Sequence, residues 1–182
     1  MWQNETMMID LNSRKTWNFV FQELWEANHG EAQTAFFTYV FLAHLPAVFH
    51  TFIRQGKLSL LDWGCALGNA LPILAEAFPE SNLMGMDHAE VAIHKARKKF
   101  PQFAFSHQTL TELKRKHQVI YTSNCLEHFK DPLKSIEEEL LPWVEDYLMI
   151  LVPFKEFHLD FGHLHRFDEQ SFPASIALPT RT

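Results

Sequence analysis

Cysteine is scarce in this chain: Cys65 and Cys125 are the only two in 182 residues and stand far apart. Two distant cysteines make no disulfide framework. The usage fits a reducing compartment, so a cytoplasmic protein is expected. Positive charge is also short, with 16 Lys and Arg against 22 Asp and Glu and a net charge of -6. That balance excludes the basic surface with which a general nucleic-acid binder meets phosphates, and no nucleic-acid partner is expected. Long uninterrupted apolar runs are missing as well. The most apolar stretch, residues 35–53, contains His44, Pro46 and His50 and reads as an amphipathic or buried helix pair, not a membrane span. Residues 1–10 are polar and acidic, without the basic start and apolar core of a signal peptide. No membrane partner is expected.

What the chain does hold is an ordinary globular load, 47% hydrophobic and 21% charged residues with 17 Phe, at a length suited to a single domain, 1–182. Between residues 12 and 28, Trp17, Val20, Phe21, Leu24 and Trp25 recur at steps of three and four, the spacing of an amphipathic helix. A second helix is expected over 31–45 and a third from Pro46 to Gly56, so a helical layer (1–56) precedes the first strand. Its Phe-rich faces read first as core, with an apolar or sugar-stacking wall for an acceptor as the second reading. Thereafter strands at 58–61, 82–86, 103–107, 118–122 and 147–152 alternate with helices at 70–78, 89–100 and 133–141, with a short helix or turn at 110–116. Such alternation implies an α/β, Rossmann-like fold: a mostly parallel sheet of about five strands with helices on its faces. Lys95, Arg97, Lys98 and Lys99 read as a solvated helix face. Residues 154–168 read as a loop over the sheet, 168–172 as a short helix start, and 173–182 as a tail without a strand.

The chemistry gathers at the end of the first strand, in Asp62-Trp63-Gly64-Cys65-Ala66-Leu67-Gly68-Asn69. Gly64 and Gly68 remove Cβ atoms where the backbone turns sharply and a ligand must come close. A dinucleotide fingerprint wants glycines at the first, third and sixth places. Counting from Gly64, the third is Ala66 and the sixth is Asn69, so that pattern fails. Charge separates the candidates further, because a pyrophosphate needs donors and a positive helix end, whereas S-adenosylmethionine brings an ammonium and a sulfonium. Asp62 suits a cation. Asp87, ending the second strand, is placed to accept ribose hydroxyls and equally to cap the helix that follows.

With these residues in hand, the chain resembles the class I S-adenosylmethionine-dependent methyltransferases. Their acid-x-Gly-x-Gly-x-Gly motif is matched by Asp62, Gly64 and Gly68 and departed from at Ala66. Their second acid is matched by Asp87. The segment from Ser123 to Pro132, Ser-Asn-Cys-Leu-Glu-His-Phe-Lys-Asp-Pro, is similar to a motif of many small-molecule methyltransferases. The resemblance spans roughly 58–172. It implies a cofactor-binding core over 57–153 that holds S-adenosylmethionine through Asp62, Gly64, Cys65, Ala66, Gly68, Asp87, His88, Gln108, Ser123 and Asn124. It also implies a substrate-side loop and tail over 154–182. Gln108 stands near where the family often has an acid for the adenine amino group. Cys65 and Cys125 are expected as neighbours in the pocket lining, since the first and fourth strands lie side by side in that fold.

The implied reaction is an in-line displacement at the sulfonium methyl, for which holding donor and acceptor in attack geometry is the main task. His128, just past a strand's carboxyl end, is the first candidate base, and His163 and His165 in the loop after the fifth strand are the next. Glu127 is expected to cap or orient its loop. Some quinone-type O-methyltransferases carry Glu-x-x-Glu-His as divalent-metal ligands, but Asn124 stands in the first place here. His158, His163 and His165 have no cysteine or ordered ligand spacing beside them. No metal is therefore expected. The partner is a small-molecule methyl acceptor. The family's usual C-terminal strand pair is lacking, so the edge of the fifth strand is expected to be covered by the tail or by a second copy in a dimer. A relative that binds cofactor without turnover and a NAD-binding oxidoreductase are the competing readings.

Overall fold

The computed structural model describes residues 12–160 and 162–174. The readings made for residues 1–10 and for most of the tail lie outside the described residues.

Five strands form one parallel sheet: β1 (Ser59–Trp63), β2 (Asn82–Asp87), β3 (Ala104–His107), β4 (His117–Ser123) and β5 (Val144–Leu151), in the order β3-β2-β1-β4-β5. This is the expected architecture, with β1 and β4 side by side in the register Leu60↔Val119, Leu61↔Ile120 and Asp62↔Tyr121. Successive side chains of β1 point to opposite faces, so each face needs its own apolar cover. Leu60 joins Phe41, Ile53, Leu74, Phe78 and Tyr121 on one side. Leu61 joins Trp63, Met86, Ile120, Leu126 and Ile136 on the other. Both leucines are essentially sealed from solvent, and each such burial contributes about 1.5–3 kcal/mol. The chain leaves β1 toward β2 and β3, then returns to pair β4 on the opposite side of β1. That reversal opens a crevice at the strands' carboxyl ends, where ligands of open α/β sheets bind.

Helices α1 (Arg14–Phe19), α2 (Gly30–His44) and α3 (Ala47–Gln55) form the N-terminal layer. Ser13 caps α1, its Oγ accepting from the Thr16 N–H at 3.2 Å. The helix then widens over Val20–Leu24, where the Trp25 N–H reaches the Val20 carbonyl at 2.8 Å. Pro46 separates α2 from α3, which bend by 107°, and no single described helix is long and apolar enough to cross a membrane. α4 (Ala70–Ala77), α5 (Glu90–Lys99) and α6 (Pro132–Lys134) follow β1, β2 and β4.

Several boundaries moved for local reasons. The helix expected at 133–141 is one α turn, capped by Asp131 through the Lys134 N–H at 3.0 Å, and a wider turn over Ser135–Leu140. Pro142 lacks the N–H needed to continue it, and β5 begins at Val144. The helix start expected at 168–172 is a turn: Asp168 Oδ1 accepts from the Gln170 N–H at 2.9 Å and from the Ser171 hydroxyl at 3.0 Å. The basic face of α5 is partly anchored rather than solvated. Lys95 donates to the Phe21 carbonyl at 2.9 Å and Arg97 to the Phe105 carbonyl at 2.8 Å. Among the described residues β5 pairs only with β4, and α3 covers part of it through Phe49 and Phe52 against Tyr147.

Gly85 lets the cofactor-side strands close up. A Cβ there would stand 2.8 Å from Cys65 Sγ and 2.8 Å from Phe105 Cδ1. Gly85→Ala is expected to destabilise by about 2 kcal/mol through overpacking, lowering the melting midpoint by roughly 5 °C in circular dichroism. An unchanged midpoint would mean that the Phe105 ring yields freely.

Candidate active site

The loop between β1 and α4 is shaped by three left-handed residues, Gly64 (φ 76°), Ala66 (φ 47°) and Gly68 (φ 76°). Ala66, the departure from the glycine motif, takes the glycine's conformation at a cost of about 1 kcal/mol. Hydrogen bonds hold it there. The Gly64 and Cys65 N–H groups both donate to the Met86 carbonyl, at 2.9 and 3.1 Å. The Ala66 N–H donates to Asp87 Oδ2 at 3.0 Å, and the Ala89 N–H to Asp87 Oδ1 at 2.8 Å. One carboxylate thus joins the first loop to Ala89, the residue just before α5, while lining the crevice; α5 itself has no side-chain cap. Gly64 and Gly68 admit close neighbours: a Cβ would stand 2.8 Å from Cys125 Sγ at the first and 2.5 Å from Phe105 Cε1 at the second.

The crevice is a cleft of about 840 Å³, within the range of cofactor sites. Of the residues singled out from sequence, Asp62, Gly64, Cys65, Ala66, Asp87, His88, Gln108, Ser123, Asn124, His128 and His163 line it. Gly68 supports it from behind. Asp62 lies within β1, is buried, and its Oδ2 has no hydrogen-bond partner among the described residues. Burial, with the Asp87 charge added, pushes its carboxyl up to about 8. Burial also raises Asp87, against the two backbone donors and the nearby His88 that favour its charged form. Cys65 and Cys125 are pushed up by burial and by neighbouring carboxylates, so they are packing groups in the lining, not thiolates.

The far end of the cleft is built from β4 and the β5 loop. The turn Leu126–His128 follows β4 and buries Glu127 completely, beside His128. His128 Nδ1 lies 3.0 Å from the Gly162 carbonyl. A carbonyl only accepts, so Nδ1 carries the proton and Nε2 keeps its lone pair. Burial pushes His128 down to about 4 and Glu127 up to about 8. His163 is brought to the same place because the Leu164 N–H donates to the Glu127 carbonyl at 2.7 Å. Its Nδ1 stands 2.9 Å from both oxygens of Glu156. His165 does not join them. Its Nε2 donates to the carbonyls of Phe129 and Lys130, at 2.7 and 3.2 Å, and straps the loop down. His158 is exposed.

Sequence reasoning missed Glu156 and gave the aromatic helix faces to the core ahead of a cleft wall. Trp17, Phe21 and Trp25 of the N-terminal helix form a ring ladder with centroids 5.6 and 4.9 Å apart. Trp17 meets the His128 ring at 4.7 Å. All three line the cleft, with Phe37 of α2. Their helical spacing was legible, but spacing alone cannot tell a face that meets the core from one that roofs a cleft.

A family profile described as a methyltransferase domain matches residues 18–171. The trans-aconitate 2-methyltransferase of Acidovorax sp. (strain JS42) is 41% identical over 46 residues, 25% of this chain and 18% of that protein. The one of Variovorax paradoxus (strain S110) is 29% identical over 86 residues, 46% of this chain and 31% of that protein. The matched segments therefore span under a third of these relatives' lengths. Among solved structures, the plantazolicin methyltransferase BpumL, in complex with a desmethylPZN analog and SAH, has a TM-score of 0.60 at 22% identity. It covers 78% of this chain and 58% of that one, a likeness of fold. With five parallel strands, a glycine-bearing loop hooked to an acid at the next strand's end, and a profile match over most of its length, the chain belongs to the methyltransferase domain family.

Proposed function

We propose that the chain binds S-adenosylmethionine at the carboxyl ends of β1 and β2 and transfers its methyl group to a small-molecule acceptor. The observation that carries this reading is the buried Asp62 carboxyl, with an unpartnered Oδ2, beside Asp87 in one cleft. Two acids in an apolar site raise each other's pKa, and a cationic ligand relieves both. S-adenosylmethionine supplies an electrophilic methyl on sulfur. The chain's part is to bind and orient. Asp87 keeps a lone pair on each oxygen beyond those used by Ala66 and Ala89, enough for two ribose hydroxyls. Asp62 meets the ammonium. The backbone of Gly64, Cys65 and Ala66 comes close because the loop turns left-handed.

On the acceptor side, His128 and His163 present Nε2 lone pairs, and His165 holds their loop. Trp17, Phe21, Trp25 and Phe37 give an apolar roof that excludes water and suits a small organic acceptor. Cover for the free edge of β5 by the tail or by a second copy of the chain belongs to the same reading. The failed dinucleotide spacing and the family membership speak against the oxidoreductase alternative.

Calorimetry with S-adenosylhomocysteine, S-adenosylmethionine and NAD tests the binding step. Both adenosyl ligands are expected to bind, NAD is not, and Asp87→Ala should weaken binding roughly 100-fold, the loss of two charge-assisted hydrogen bonds. Heat with NAD alone would sink the reading. Binding without methyl transfer to any acceptor would leave a cofactor-binding relative.

Asp62 adds a pH signature. Its carboxyl is raised from 3.8 in the unfolded chain to about 8 in the free fold, so between these values the folded state holds a proton that the unfolded state has lost. Stability from this group is complete below about pH 4 and falls as pH rises toward 8, and Asp87 acts in the same direction. Thermal melts from pH 5 to 8 should show a falling midpoint, and Asp62→Asn should flatten the slope. At pH 7 binding of a cationic ligand should release up to one proton, read from the dependence of calorimetric heat on buffer ionisation enthalpy. Ala66→Gly, which removes the left-handed cost, is expected to stabilise by about 1 kcal/mol in denaturant titrations.

A further inference from the structure

We propose that Glu127, His128 and His163 form a three-ligand site for a divalent transition ion of the zinc type, with its open side toward the cleft. The ligand atoms are set by what the other atoms of each residue do. His128 Nδ1 donates to the Gly162 carbonyl, and His163 Nδ1 is engaged by Glu156. The two Nε2 lone pairs that remain both face one atom, Glu127 Oε1, at 4.0 and 3.9 Å. All three candidate ligand atoms lie within 4.8 Å of one another. These separations are too long for hydrogen bonds. They are close to the spacing of ligands around one ion: bonds of about 2.0–2.1 Å in a tetrahedron place ligands roughly 3.3 Å apart. Closing the difference takes about 0.7 Å between Glu127 and each histidine and no more than about 1.5 Å between the two histidines, in side chains that rest on a turn and a loop.

A second, independent observation points to a ligand. Glu127 is 0% exposed, and neither of its side-chain oxygens has a hydrogen-bond partner on another residue among the described residues. An unpaired buried carboxylate costs several kcal/mol. A proton on it would need an acceptor within about 3 Å, and both imidazole nitrogens stand farther off. A cation between the three atoms would satisfy all of them together. Both histidines already have the supporting contacts of metal-bound imidazoles, a backbone carbonyl on one and a carboxylate on the other.

Two imidazoles and one carboxylate favour borderline ions such as Zn(II), Co(II) or Fe(II) over Mg(II) or Ca(II), which want oxygen. Three protein ligands leave a position open, the pattern of reactive rather than structural zinc sites. All three residues line the cleft, so the open position faces the space assigned to the acceptor. That last assignment rests on the proposed function; metal binding itself does not. The expectation of no metal came from Asn124 replacing a carboxylate in a linear motif. The third ligand here comes instead from the loop after β5, far beyond His128 in sequence.

The test uses tag-free full chain, stripped with chelator and titrated with Co(II), whose visible ligand-field absorption reports nitrogen and oxygen coordination. One equivalent is expected to bind, to be displaced by Zn(II), and to be unaffected by millimolar Mg(II). Glu127→Gln and His163→Ala should each weaken binding roughly 100-fold or more, and Glu156→Gln, acting through His163, about 10-fold. S-adenosylhomocysteine calorimetry on the same samples shows that each variant is folded and separates the two readings. Metal without adenosyl ligand would refute the cofactor assignment alone, and adenosyl ligand without metal would refute the metal site alone. Absence of Co(II) absorption in the wild-type chain, as when water fills the space, would overturn the proposal. So would binding that survives His128→Ala combined with His163→Ala.

Discussion

The β1–β2 half of the cleft depends on the Asp87 carboxylate. It sits at the carboxyl end of β2 and accepts one backbone N–H from Ala66 and one from Ala89, tying a strained loop to a helix start. Without it the left-handed Ala66 would lose the hydrogen bond on its own N–H, and the first loop would be tied to the second strand only through the Met86 carbonyl. Strand pairing beneath sets the scale: Trp63 stands opposite Met86 in register, so the β1 loop and the β2 acid come level. A parallel sheet makes this automatic, because all five strands deliver their carboxyl ends to the same edge.

A similar economy operates at the other end of the cleft. Glu127 is followed at once by His128, both on a tight turn after β4, and its backbone carbonyl receives the Leu164 N–H. That bond, with the one from His128 Nδ1 to the Gly162 carbonyl, draws the loop after β5 across the sheet edge and delivers His163 and Glu156 to the cleft. His165 fastens the same loop from beyond. Buried titratable groups are concentrated here and at Asp62, while the surroundings are aromatic. Polar groups so placed are expensive unless something completes them, which is why the two least satisfied carboxylates, Asp62 and Glu127, carry the functional readings.

Much of this was legible without coordinates. Alternation of short apolar runs with helical periods gave the five strands and their parallel sense, and Gly64, Gly68 and Asp87 marked the loop. Boundaries were less legible where turn chemistry intervened, as at Pro142 and in the Asp168 turn. The roof stood second to a core face for a deeper reason. Trp17, Phe21 and Trp25 have the spacing of any buried helix face, and only the way α1 lies against α5, through Asn18 accepting the Val91 N–H at 3.0 Å, brings them over the cleft.

By itself the amino-acid order determined the fold class and marked the β1 loop and the β2 acid that meet in one cleft, because these depend on local pattern and on the fixed geometry of strand, loop and helix. Tertiary structure decided what stands opposite them. His163 and Glu156 meet Glu127 and His128 only through a loop that folds back over β4, and His163 and His165, two positions apart, receive opposite duties. Such meetings depend on long-range backbone hydrogen bonds, which leave no periodic trace in a sequence.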